Sequence, residues 1–240
     1  MSKLSIIIPV YNEQDTLQQI VERVWAVDLG PTEKEIIIAN DGSTDATPAV
    51  ITQLQQTYPQ LRTYSSPTNL GKGAAVRQGI AISSGDLIVI QDADLELDPG
   101  DYPNLLEPLL AGQSEIVYGS RFLKAAGPVP RHTRLANRFL TWLTNFLFRG
   151  HLTDMETAYK MFRRSVYQGI RLRGVHFDFE PEITANFLKR GYRILEVPIT
   201  YHPRTVQKGK KISWVDGIEA IYTLFRCRFI DPPVQKKQGA

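Results

Sequence analysis

Cysteine is almost missing from this chain. Cys227 is the only one in 240 residues, so no internal disulfide can form and a reducing compartment suits the composition. Long apolar runs are missing too. The uncharged stretch 140–148 falls well short of the about 20 residues that a membrane-spanning helix needs. Residues 1–3 lead straight into a strand-like segment with no signal-peptide pattern, so a cytoplasmic location is expected. The four histidines, His132, His151, His176 and His202, show no metal-ligand spacing. A net charge of +3, from 28 Lys+Arg against 25 Asp+Glu, is too mild to argue for nucleic acid. The sharpest absence is local. Between Ile116 and Thr153 there is no Asp or Glu, while Arg121, Lys124, Arg131, Arg134, Arg138 and Arg149 all fall there. That half of the chain suits phosphates or an anionic membrane surface.

What is present reads as one soluble domain, with 42% hydrophobic residues and 22% charged ones. The β-branched runs 4–10, 35–40 and 87–90 predict buried strands, with shorter strands at 62–65, 115–120, within 154–162 and at 194–199. Helical spacing predicts helices after Asn12, after Asp45, from about 71 to 82, over 102–110, over 135–148 and from about 178 to 188. A last helix begins after Ser213, where Ser213 and Asp216 form a capping box. Asn12 is expected as an N-cap, and Asp45 as the cap of the second helix. Strand and helix alternating at this spacing predict an α/β fold, a mostly parallel Rossmann-like sheet flanked by helices. The expected organisation is one domain over 1–240: a nucleotide-binding half 1–122, an acceptor half 123–212, and an amphipathic helix with a basic tail over 213–240.

The stretch Gln91-Asp92-Ala93-Asp94-Leu95-Glu96 follows the apolar strand 87–90. Its three carboxylates cannot all be buried unpaired, because isolated buried charge is too costly. A hard divalent cation, Mg²⁺ or Mn²⁺, suits such oxygen ligands and keeps positions open for phosphate oxygens. Tyr11, Asp41 and Asp92 all follow strands, and open parallel sheets bind ligands at the carboxyl ends of their strands. The basic, polar stretch 203–211 contains Arg204, Gly209 and Lys210 and is expected to close as a loop over bound phosphate. The helix 135–148 has an aromatic-rich face, with Arg131, Arg134 and Arg138 around its start. That arrangement suits the headgroup boundary of a membrane.

Six motifs stand in order: Ile8-Pro9-Val10-Tyr11-Asn12-Glu13, Asn40-Asp41-Gly42-Ser43-Thr44-Asp45, Asn69-Leu70-Gly71-Lys72-Gly73, the acidic stretch 91–96, Gly119-Ser120-Arg121, and Asp154-Met155-Glu156-Thr157-Ala158-Tyr159-Lys160. Together they resemble glycosyltransferase family 2 with its GT-A fold. Within it they resemble the polyprenyl-phosphate glycosyltransferases typified by dolichol-phosphate mannose synthase. The resemblance implies that Pro9, Tyr11, Glu13 and Asp41 contact the base and ribose of a nucleotide-diphosphate sugar, and that Asp92 and Ala93 also hold the nucleotide. It implies metal ligation by Asp94 and Glu96, with Asp92 beside them, and catalytic roles for Asp94, Arg121 and Asp154. Arg204 and Lys210 would meet the donor diphosphate, and Arg121, Arg131 and Arg134 the acceptor phosphate. Two departures stand out: Glu96 where the family often has Gln, and Ala158 where Gly is frequent.

The implied reaction is inverting transfer of a sugar, first choice mannose from GDP-mannose, onto a dolichyl or undecaprenyl phosphate. UDP-glucose is the alternative donor, and a sugar hydroxyl the alternative acceptor, with Asp154 or Glu156 then as base. The expected setting is the cytoplasmic face of a membrane, where a membrane-anchoring partner would be compatible. A nucleotidyltransferase would usually carry a Gly-rich phosphate loop after the first strand, where Pro9-Val10-Tyr11-Asn12-Glu13 stands instead. A non-catalytic binding protein would have no need of the full carboxylate set.

Overall fold

The first strand, β1 (Lys3–Val10), is buried over nearly its whole length and alternates its side chains between two cores. Ile6 and Ile8 join one core, and Ile7 joins the other. A strand buried on both faces must lie inside a sheet with helices on each side. The computed structural model describes residues 2–123, 131–203 and 214–232. It places β1 between β2 (Glu33–Asn40) and β4 (Leu87–Ile90), both parallel to it, and β3 (Arg62–Ser65) pairs parallel with β2.

The second half of the chain extends the same sheet. β5 (Ile116–Ser120) pairs parallel with β7 (Leu195–Pro198). Between β4 and β5 lies β6 (Lys160–Arg163), antiparallel to both, and the order is β3-β2-β1-β4-β6-β5-β7. The reversed β6 matters for the site. Its beginning, and the residues just before it, lie at the edge where β1, β2, β4 and β5 end.

On one face of the sheet pack α1 (Leu17–Ala26), α2 (Thr47–Thr57) and α4 (Tyr102–Leu110), through Leu17, Ile20, Ile51, Leu54, Leu105 and Leu109. On the other pack α3 (Lys72–Ile82), α5 (Arg131–Phe148), α7 (Phe179–Lys189) and α8 (Trp214–Phe225), with the short α6 (Arg164–Tyr167) after β6. Burying each such Leu or Ile fully is worth about 1.5–3 kcal/mol. A π-helical turn, Arg226–Ile230, continues from α8 and buries Cys227. Burial and the neighbouring Glu182 charge push that thiol up to about 12, so it is a packing residue rather than a nucleophile.

One sequence expectation changes here. Asn12 does not cap α1, which begins at Leu17. It takes a left-handed backbone, φ 55°, and clamps the turn after β2: its N–H donates to Ser43 Oγ at 3.0 Å, and its Oδ1 accepts from the Thr44 N–H at 2.8 Å. Asp45 does accept from the Thr47 N–H, at 2.9 Å, in the first turn of α2.

On α5 the aromatic-rich face singled out from sequence turns outward. Leu140, Leu143 and Leu147 face the core, while Leu135, Phe139, Trp142 and Phe146 lie outside, Phe146 at 71% exposure. On the adjacent α8 and the turn after it, Ile218, Tyr222, Phe225 and Phe229 are also exposed. Among the described residues no helix is long and apolar enough to cross a membrane.

Candidate active site

Parallel strands end on one edge of a sheet, and a cavity of about 320 Å³ opens at that edge. Its lining includes Pro9 near the end of β1, Tyr11 and Glu13 after it, Asp41 after β2, Asp92, Ala93, Asp94 and Glu96 after β4, and Arg121 after β5. From the segment entering β6 come Glu156 and Ala158, and from the α7 N-terminus Phe177 and Glu180. Most of the residues singled out from sequence therefore meet in one place.

Several have a first duty other than touching a ligand. Both oxygens of the buried Asp41 carboxylate accept backbone N–H groups, from Leu70 at 2.8 Å and Gly71 at 2.7 Å. Asp41 thereby holds the Gly71-Lys72 turn at the rim of the cavity. Gly71 sits at φ 100°, and a Cβ there would run into the Val175 carbonyl and the His176 ring, so only glycine fits. Glu13 Oε2 accepts from Thr16 Oγ1 at 2.8 Å.

The Gly71 turn delivers Lys72. Its Nζ lies 2.8 Å from Asp92 and 2.8 Å from Glu180, and all three side chains are largely buried. Burial works against the ammonium charge, but Asp92 and Glu180 outweigh it and raise the Lys72 pKa. Neither Lys72 nor Glu180 is identifiable from sequence as a pair, because α3 and α7 meet only in the folded chain.

At the mouth of β4, Gln91 is buried and fixed by two tyrosines: its Oε1 accepts from Tyr102 at 2.6 Å and Tyr159 at 2.7 Å. Beyond it the chain turns at Leu95, whose φ is 62°, a conformation costing about 1–2 kcal/mol for a residue with a side chain. The turn lets the Glu96 N–H donate to Asp94 Oδ1 at 3.1 Å, while Glu96 Oε2 accepts from Tyr201 at 3.1 Å. The donor set of Asp94 and Glu96 is all oxygen, which fits a hard divalent cation. Asp92 is engaged with Lys72 instead. Among the described residues, Asp92, Asp94 and Glu96 do not bring three donor atoms within 4.8 Å of one another; the one such group is Glu182, Cys227 and Asp231, which Arg226 bridges.

Arg121 also lines the cavity, its guanidinium held by Asp154. Burial opposes the charge, and Asp154 more than offsets it, so Arg121 stays cationic. Asp154 is itself fully buried and is not part of the lining. Both of its oxygens accept from Arg121, which fixes the guanidinium in the cavity wall. Glu196 on β7 completes the support by accepting the Thr153 and Asp154 backbone N–H groups at 2.7 and 2.9 Å. Glu156, by contrast, does line the cavity. Burial, and then the Glu180 charge, push its carboxyl well above the ordinary range.

Arg134 is exposed on α5 and is not among the lining residues. The side chain of Arg131, together with Arg204, Lys210 and the 204–213 segment, lies outside the described residues, as do Lys124 and the tail beyond 232.

The glycosyl transferase family 2 profile matches residues 5–171, which spans β1 to just beyond α6. The chain belongs to glycosyl transferase family 2. Relatives of this family 2 chain include the dolichol-phosphate mannosyltransferase of Pyrococcus furiosus, 30% identical over 93% of this chain and 64% of that protein. Another is the dodecaprenyl-phosphate galacturonate synthase of Rhizobium johnstonii, 30% identical over 84% of this chain and 60% of that protein. The chain thus spans less than two thirds of the length of either curated relative. Among solved structures, glucosyl-3-phosphoglycerate synthase from Mycobacterium tuberculosis in complex with UDP superposes with a TM-score of 0.74 at 21% identity, covering 96% of this chain and 82% of that one. Other crystals of that synthase hold Mn²⁺ with UDP. The shared fold is GT-A.

Proposed function

We propose that this chain carries out metal-dependent, inverting transfer of a sugar from a nucleotide-diphosphate sugar to a polyprenyl phosphate. The observation that carries the reading is that one cavity is lined by Asp94, Glu96 and the Asp154-held Arg121, whose guanidinium lies over the Tyr201 ring that also holds Glu96. GDP-mannose is the first-choice donor. The names of the Pyrococcus and Rhizobium relatives support the acceptor class, and that of the Pyrococcus enzyme supports the sugar. UDP-glucose is the alternative donor.

In this reading Pro9, Tyr11 and Glu13 border the nucleotide, and Asp41 and Asp92 shape its site through the Gly71-Lys72 turn. Asp94 and Glu96 would hold Mg²⁺ or Mn²⁺, which when bound neutralises charge on the diphosphate leaving group. Arg121 is placed to bind phosphate and to stabilise negative charge where it develops. A phosphate monoester, with a second pKa of about 6, is largely a dianion at neutral pH. It attacks without losing a proton, and no general base is required.

The aromatic faces of α5 and α8 supply a reason for a lipid acceptor. Single exposed apolar residues are ordinary, but two neighbouring helices with outward aromatic stripes form a surface that water does not favour. Arg134 and Arg138 are exposed on α5 with no acid on that helix, and each basic residue near an anionic membrane is worth about 1 kcal/mol. We read this face as the peripheral membrane contact, on the cytoplasmic side.

A second reading has its own observation: Glu156, in the cavity with a raised pKa, would suit a base for a sugar-hydroxyl acceptor. One experiment separates the two. Purified protein is incubated with membranes and a panel of labelled nucleotide sugars, with and without EDTA. Label entering an organic-extractable, mild-acid-labile lipid, only with divalent metal, supports the phosphate acceptor. Label confined to soluble sugar alcohols overturns it.

A further inference from the structure

Among the described residues three carboxylate oxygens are buried without a hydrogen-bond partner; one, Asp231 Oδ1, lies away from the cavity beside arginines, and the other two belong to residues lining it: Oε1 of Glu156 and Oε2 of Glu180. Buried acceptors are almost always satisfied, and leaving one unpaired is costly. Neither is a loose surface group. Glu180 is 4% exposed, and its other oxygen is pinned 2.8 Å from Lys72 Nζ. That ammonium also holds Asp92, so the position of Glu180 is coupled to the mouth of β4. Phe177 and Ala158 supply apolar surface beside the two acids.

What could satisfy these oxygens follows from charge. A phosphate brings only negative oxygens at neutral pH and is repelled by carboxylates. A lipid chain brings no donor. A sugar brings several O–H donors, and its C–H faces suit an aromatic wall. We infer that Glu156 and Glu180 form the hydroxyl-reading floor of the sugar subsite, and that they restrict the transferred sugar to neutral hexoses. A uronic acid would carry its own carboxylate against this pair and meet the same repulsion as a phosphate. This rests on the donor reading above and adds to it the class of sugar and the residues that select it.

The test uses the full chain, Glu156→Gln and Glu180→Gln. Titration calorimetry measures GDP, UDP, GDP-mannose, UDP-glucose and UDP-glucuronate, each with Mn²⁺. Wild type should bind one neutral nucleotide sugar more tightly than its nucleoside diphosphate, and UDP-glucuronate no better than UDP. Glu156→Gln should cut the sugar's added affinity by about tenfold, the effect of losing a hydrogen bond to a charged group, and leave nucleoside diphosphate binding within about twofold. Glu180→Gln should do the same with some loss of nucleotide binding, through Lys72 and Asp92; if it fails to fold, Glu156→Gln decides alone. Wild-type affinity of Glu156→Gln for the nucleotide sugar overturns the inference, as does UDP-glucuronate binding as tightly as UDP-glucose. Normal donor binding with turnover lost on a hydroxyl acceptor would make Glu156 a base instead and also overturns it. If neither GDP nor UDP binds the wild type, the donor reading itself falls.

Discussion

Arg121 and Asp154 are joined by three hydrogen bonds: the Arg121 backbone N–H and Nε reach Asp154 Oδ2 at 3.0 and 2.7 Å, and Nη2 reaches Oδ1 at 2.8 Å. The acid fixes both the backbone after β5 and the plane of the guanidinium. Asp154→Ala would strand a buried cation, and removing one partner of such a pair costs about 3–5 kcal/mol. Urea unfolding should show that loss. Asp154→Asn keeps the volume but discards the charge, so kcat should fall about a hundredfold with the KM for donor nearly unchanged. A variant whose donor KM rises while kcat holds would place Arg121 on the binding side only.

Asp94 and Glu96 make a separate, chemical prediction. Asp94→Asn swaps an anionic oxygen for a neutral amide and should lower turnover about a hundredfold or more, with circular dichroism and melting temperature near those of wild type. EDTA should abolish activity, and added Mn²⁺ or Mg²⁺ should restore it. Full turnover in metal-free buffer would remove the metal from the mechanism.

Gly71 tests the rim. A Cβ there meets the Val175 backbone carbonyl as well as the His176 ring, and backbone does not yield as a side-chain tip can, so the turn must shift and carry Lys72 with it. Gly71→Ala is expected to weaken nucleotide binding at least about tenfold, because Lys72, Asp92 and Glu180 lose their common geometry. The sheet contributes no residue to that clash, so cooperative unfolding should persist. Unchanged nucleotide affinity would show that the turn's position does not matter to the site.

The strands were legible because runs such as residues 4–10 are buried on both faces, and burial leaves a composition that can be read directly. With the strand ends came Tyr11, Asp41, Asp92 and Asp94. Strand direction is not in the composition, so the antiparallel β6 that brings Glu156 to the cavity was not expected. The same limit hid the Lys72–Glu180 pair, since each is an ordinary charged residue until α3 and α7 pack. On α5 the period showed an apolar side, but two apolar sets share that helix. Only packing decided that Leu140, Leu143 and Leu147 go inward and Phe139, Trp142 and Phe146 outward. The pairing of Asp154 with Arg121 is hidden for the same reason, since 33 positions separate the two.

Glu35 yields a prediction about stability rather than catalysis. It is buried and is not part of the cavity lining. Its carboxylate accepts from Ser5 Oγ at 2.6 Å, from the Ser84 N–H and Oγ at 2.8 and 2.9 Å, and from Arg62 at 2.9 Å. Burial alone would raise its pKa, but these donors, Ser5 first, overcome burial and hold it at about 2. In the unfolded chain a glutamate titrates at about 4.3. The folded form therefore prefers the ionised group, and its contribution is complete above about pH 4.3 and fades as pH falls toward about 2. Each tenfold change in proton affinity is worth about 1.36 kcal/mol, so the contribution at neutral pH is about 3 kcal/mol. Glu35→Gln should lose about that much in denaturant unfolding at pH 7, and the gap from wild type should close between about pH 4.3 and 2. Turnover per folded molecule should not change, because Glu35 braces β1, β2 and the turn before β4 away from the cavity. Parallel stability curves for the two proteins across that pH range would show that the four donors do not discriminate the charged from the neutral acid.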